Sequence, residues 1–131
     1  MLHLLCQVCG QSAREEGRIW WVMAEPPGKD AIGELFTNTP STCRSCIPAA
    51  RRLCPRLWEW SRVNSVNAAD PYGVVADVFK PLGRRLVSVA DAVELRLEAY
   101  HDLEYALAKQ LIVTLDGLQE WRLNDLGLRV A

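Results

Sequence analysis

The chain has 131 residues, half of them hydrophobic and 24% charged, with a formal net charge of −1. That is the composition of an ordinary globular protein with a core, which excludes a disordered or fibrous chain. A charge this close to zero also excludes a long polyanion held by overall attraction, so any nucleic-acid role needs a local patch.

No stretch approaches the run of about 18 apolar residues that crosses a membrane as a helix. Met1–Leu5 carries no lysine or arginine, and its apolar run is short for a signal peptide. The five cysteines are an odd number, four of them at metal-ligand spacing, which points away from a secreted disulfide framework. These features predict a cytoplasmic protein without membrane contact.

Cys6-Gln7-Val8-Cys9-Gly10 opens the chain as a metal-binding knuckle, with Gly10 free to take the positive φ of such a turn. Glu15-Glu16-Gly17 is a turn signal. Arg18–Ala24, with Ile19, Trp20, Trp21, Val22 and Met23, reads as a strand buried on both faces, or on one face with a partner on the other. Glu25–Asp30 is a loop, and Ile32–Thr39 holds the return strand, centred on Leu35-Phe36-Thr37. Pro40-Ser41-Thr42 delivers the second pair, Cys43-Arg44-Ser45-Cys46. Ile47–Leu53 reads as a short helix, since Pro48 is harmless in a first turn and Pro55 opposes continuation.

Leu57–Val63 is apolar without a clear period, and Asn64–Pro71 is polar and turn-rich, the expected join between two halves. Tyr72–Phe79 and Leu86–Val89 read as strands about the turn Pro81-Leu82-Gly83. Val93–Glu98 alternates apolar and charged residues but consists of helix formers, so strand and helix stay equally open. Leu103, Leu107, Leu111 and Leu115 recur every four residues behind a capping Asp102, which predicts the main helix of this half. Leu118–Leu128 is expected to add an edge strand around Trp121.

The two Cys-x-x-Cys pairs carry the chemistry. Four thiolates close a tetrahedron around one structural Zn²⁺ and leave no position for an activated water, so the expected ligands Cys6, Cys9, Cys43 and Cys46 argue for a non-enzymatic role. An iron–sulfur cluster uses the same donors and is the competing assignment. Four bound thiolates and the ion would bring the net charge to about −3.

No histidine lies between Cys9 and Cys43, which argues against a histidine-and-metal nuclease. His3 is a possible substitute ligand, His101 a surface residue at a helix start, and Cys54 a bystander thiol unless a pocket gathers it with His101 and Asp102. Residues 40–62 concentrate Arg44, Arg51, Arg52, Arg56 and Arg62 against a lone Glu59. With Trp58 they form a candidate surface for a protein partner, or for phosphates and bases of nucleic acid. Trp20, Trp21, Trp58 and Trp60 read as core, with any exposed member marking a protein-binding patch. Residues 91–104 are acidic (Asp91, Glu94, Glu98, Asp102 and Glu104 against Arg96) and read as a solvated face.

Cys-x-x-Cys-Gly, the tryptophan-rich strand, Thr39-Pro40-Ser41-Thr42-Cys43-Arg44-Ser45-Cys46 and the following Ile47–Leu57, together with Tyr72–Pro81 and Ala108–Leu118, resemble small zinc-finger-like proteins of actinobacteria and their phages. The resemblance implies a zinc-bearing cytosolic protein and no particular activity. The expected fold is α+β. A treble-clef-like four-cysteine zinc module (1–63: knuckle, hairpin, short helix) packs on a small antiparallel sheet with one main helix (70–131), as one compact domain. An exposed edge strand in the second half would allow a homodimer.

Overall fold

The computed structural model describes residues 3–127; Met1, Leu2 and Leu128, which the expectations for the two chain ends touch, lie outside them. Short strands β1 (Arg14–Glu15) and β2 (Arg18–Met23) form a hairpin about Glu16-Gly17, and β3 (Gly28–Lys29) and β4 (Leu35–Thr37) form a second. A 3-10 turn (Arg44–Cys46) leads into α1 (Ile47–Leu53), and α2 (Pro55–Glu59) follows at once. Pro55 ends the first helix and starts the second, where its missing N–H costs nothing. Then come β5 (Arg62–Val66), β6 (Pro71–Leu82), β7 (Arg85–Arg96), the single turn α3 (Tyr100–Leu103), β8 (Ala106–Thr114), β9 (Gln119–Trp121) and a 3-10 turn (Leu123–Leu126).

The strands make two antiparallel sheets, in the orders β1-β2-β5-β9 and β3-β4-β8-β6-β7. Both draw strands from either side of residues 64–70. The mixed α+β class is as expected, with few helices and the cysteines near the N-terminus.

β2 is the centre of the packing because its two faces are both apolar. Ile19, Trp21 and Met23 point one way and pack with Ala13, Val66, Ala69, Val113 and Leu115, at the end of β8. Trp20 and Val22 point the other way, under Ile47, Ala50 and Leu57 of the two helices. The first sheet is thus covered by helices on one face and by the root of the second sheet on the other.

Several expectations are overturned. The helix over Leu103–Leu115 is the strand β8, and α3 accounts only for Tyr100–Leu103. A spacing of four is even, so it places leucines on one side of a strand as well as of a helix, and the β-branched run Ile112-Val113-Thr114 favours the strand. The open choice at Val93–Glu98 resolves as strand up to Arg96.

The polar join at Asn64–Pro71 is instead occupied at its start by β5, where Asn64 and Ser65 are buried. Their polarity is satisfied inside the sheet: the Ser65 hydroxyl accepts from Arg18 Nε at 2.6 Å and from Trp121 Nε1 at 2.8 Å. Leu35–Thr37 is a strand but does not return along β2; it pairs with β3 and β8 in the other sheet. Trp20 and Trp21 are core, whereas Trp58 is 66% exposed and Trp60 38%.

Candidate metal centre

Two loops converge at one end of β2. In the knuckle, Gly10 N–H donates to the Cys6 carbonyl at 2.9 Å, and Gly10 takes φ of 72°, which closes the turn. The second pair is tied to it by Gln7 N–H to the Ser41 carbonyl (3.0 Å), the Ser41 hydroxyl to the Leu5 carbonyl (2.9 Å) and Gln7 Nε2 to the Thr42 hydroxyl (2.9 Å). Thr42 N–H in turn donates to the Trp20 carbonyl at 2.9 Å, which fixes the loop to β2.

The Sγ atoms of Cys6, Cys9, Cys43 and Cys46 all lie within 4.8 Å of one another, an arrangement that can hold a metal ion. The Cys9 and Cys43 sulfurs are 3.8 Å apart. A tetrahedron with metal–sulfur bonds of about 2.3 Å has an edge of about 3.8 Å, so this separation fits one small ion. Cys6 and Cys43 are buried, Cys46 is partly so and Cys9 is exposed.

The thiols differ in acidity. Burial pushes Cys6 up, but N–H groups of Cys9, Cys43 and Val8 aimed at its sulfur outweigh this and bring it down to about 6. The Val8 N–H lies 3.4 Å from that sulfur. Burial raises Cys43, and its contacts with Cys46, Glu15 and Cys6 raise it further. Cys46 gains from its bond with Cys43, but burial and the Cys9 and Cys6 sulfurs prevail and raise it as well. Four sulfurs this close cannot all ionise unaided, because like charges oppose one another; a bound cation removes that opposition.

The residues missed by sequence reasoning are Glu15 and Glu16, read there only as a turn. Glu15 accepts from Ser45 N–H (3.2 Å) and from the Ser45 hydroxyl (2.9 Å), while Glu16 pairs with Arg44. The dipeptide between Cys43 and Cys46 is therefore gripped from the β1–β2 turn. Burial opposes ionisation of Glu15, but the Ser45 donors, Cys43 and the Arg44 guanidinium hold its carboxyl below the usual range. Glu15→Gln keeps the shape and removes the charge. It should weaken metal affinity roughly tenfold, the low end for groups that orient ligands. Competition against a chromophoric chelator measures this; unchanged affinity would show that Glu15 does not support the site.

Of the proposed binding-surface residues, Arg44 is committed to Glu16 and lies 5.5 Å from the Trp20 ring centre. Arg51 donates to the Ser61 hydroxyl at 3.3 Å, and Arg56 pairs with Glu25. Arg62 pairs with Glu120 and lies over Trp60. Arg52 and Trp58 are exposed together, with Trp58 Nε1 donating to the Arg52 carbonyl at 3.1 Å.

A cleft of about 560 Å³ opens between the knuckle and the helices, lined by Gln7, Val8, Ala50, Leu53, Cys54 and Leu57 among others. Cys54 lies in it, but His101 and Asp102 sit exposed on α3 and do not line it. His3 is exposed and is not part of the sulfur cluster. Among the described residues, no helix is long and apolar enough to cross a membrane. Compared with protein-family models, curated proteins and solved structures, the chain matches none.

Proposed function

We propose that this protein is a non-enzymatic interaction module in which one zinc ion holds the knuckle to the helices and the adjoining cleft docks a protein partner. The four converging sulfurs carry the reading. Thiolates are soft donors, and a d¹⁰ ion accepts their tetrahedron without geometric cost. Iron–sulfur clusters spread their cysteines over different irons, which sets some of the four sulfurs farther apart than the 4.8 Å within which all of them lie here. With all four positions taken by protein, the ion supports the fold and offers no open position for a reaction.

The cleft supports a protein partner because its walls set exposed apolar side chains, Val8 at 41% and Leu53 at 75%, among hydrogen-bonding groups such as Gln7, Asn38 and Gln110. Its rim carries the internally neutralised pair Arg56–Glu25. The arginines count less for nucleic acid than their number suggests, since phosphates would have to displace Glu16, Glu25 and Glu120.

Metal analysis of purified protein should find about one zinc per chain; far less, or iron instead, overturns the zinc assignment. A photoreactive residue placed at Leu53 should then give one discrete protein adduct in the native host. The adduct should resist nuclease, disappear on metal removal and be absent when the probe sits at Ile32. An adduct destroyed by nuclease transfers the function to nucleic acid at Arg52 and Trp58. No adduct at Leu53 removes the cleft as the docking surface.

A further inference from the structure

The β6–β7 hairpin outruns its sheet. The last β6–β8 partners are Val78 and Ala106, yet β6 and β7 stay paired to Leu82 and Arg85. Residues 80–89 are exposed throughout, and Gly83, with φ of 62°, makes the turn at the tip. Two strands alone cannot shelter apolar side chains, and here Leu82, Leu86 and Val89 are 66%, 61% and 62% exposed. The same tip carries Lys80, Arg84 and Arg85, with no acid between Asp77 and Asp91. Among the described residues none of these three cations is ion-paired, unlike Arg44, Arg56 and Arg62.

The far end of β7 and the segment that links it to β8 have the opposite character. Glu94, Asp102 and Glu104 are exposed and in no ion pair among the described residues, whereas Glu98 is held by Arg96 and Asp77 by Lys109. Tyr100 and Leu107 stand beside them in sequence, 78% and 60% exposed. One chain therefore displays a basic apolar patch and an acidic apolar patch.

We propose that the β6–β7 tip docks a second copy of this chain. Lys80, Arg84, Arg85, Leu82 and Leu86 of each copy meet the acidic, apolar segment around α3 of the other, about a two-fold axis. A two-fold closes both contacts at once and leaves neither patch bare. Matched local charge fixes such an interface, whereas a net charge of −1 gives a polyanion no general attraction. The contact is between side chains, not strand edges. Register shifts at Val89 and at Asp91–Ala92, with Ala92 at φ of 50°, interrupt the free edge of β7 and discourage strand addition.

Sedimentation analysis of the zinc-loaded full chain tests this. Wild type should show a monomer–dimer equilibrium that weakens with salt. R84E/R85E alone and D102K/E104K alone should each raise the dimer dissociation constant about tenfold or more. An equimolar mixture of the two should restore a one-to-one dimer, because the two reversed patches are complementary to each other and the second contact pairs the unchanged tip with the unchanged acidic segment. All four positions are exposed, so circular dichroism and metal content should match wild type. A wild type that stays monomeric at every concentration overturns the proposal, as does either variant dimerising alone like wild type. Monomeric wild type whose tip retards DNA or RNA, with loss in R84E/R85E, reassigns the tip to nucleic acid.

Discussion

Cys6→Ser and Cys46→Ser should each unfold the N-terminal part of the molecule. A serine hydroxyl is a hard, weakly acidic donor and does not replace a thiolate on a soft-ligand site. Structural zinc sites contribute about 10–16 kcal/mol of apparent binding energy, much of it expressed as folding energy, and the proposed ion would act in the same way here. That rivals the whole stability of a small domain, about 5–15 kcal/mol. Here the centre ties the knuckle to the loop carried by β2, whose two faces hold both core clusters. The loss should therefore spread beyond the loops. Metal content should fall to near zero, and the cooperative thermal transition should disappear or drop steeply. Chelation of the wild-type protein should reproduce the effect. Mutants that melt like wild type would refute the structural role of the site.

Trp21→Ala should be the costliest change away from the cysteines. Trp21 is fully buried, packs with Ile19, Met23, Val66 and Val113, and donates its Nε1–H to the Thr39 carbonyl at 3.0 Å. Truncation leaves a large cavity between the two sheets and strips that carbonyl of its partner. The expected loss is about 3–5 kcal/mol. Trp58→Ala removes a side chain of the same size from a site 66% exposed, and should cost no more than about 0.5 kcal/mol. Urea denaturation of the two variants side by side checks the contrast; similar midpoints would mean that β2 is not the centre of the core.

The four-sulfur cluster was legible because its signal is local: each Cys-x-x-Cys pair sets two sulfurs on one turn, whatever the rest of the chain does. β2 was legible because a run such as Ile19-Trp20-Trp21-Val22-Met23 has no polar face to give to water. α1 was legible from Pro48 and Pro55, which bound it by backbone chemistry alone. Glu15 and Glu16 were not, since their roles depend on Arg44 and Ser45, which only folding brings near.

The sequence by itself determined the four-sulfur site, the doubly buried strand and the short helix after the second pair. Only the tertiary structure decided that residues 106–114 are a strand. Leucines spaced by four satisfy both periodicities, and the hydrogen-bonding partners supplied by β4 and β6 choose between them. It likewise took β5 into a sheet despite Asn64 and Ser65, because Arg18 and Trp121 bond the Ser65 hydroxyl and Asn64 Nδ2 reaches Met23 Sδ at 3.5 Å. Propensity and spacing act within a few residues, whereas a strand is defined by a neighbour that can lie anywhere in the chain.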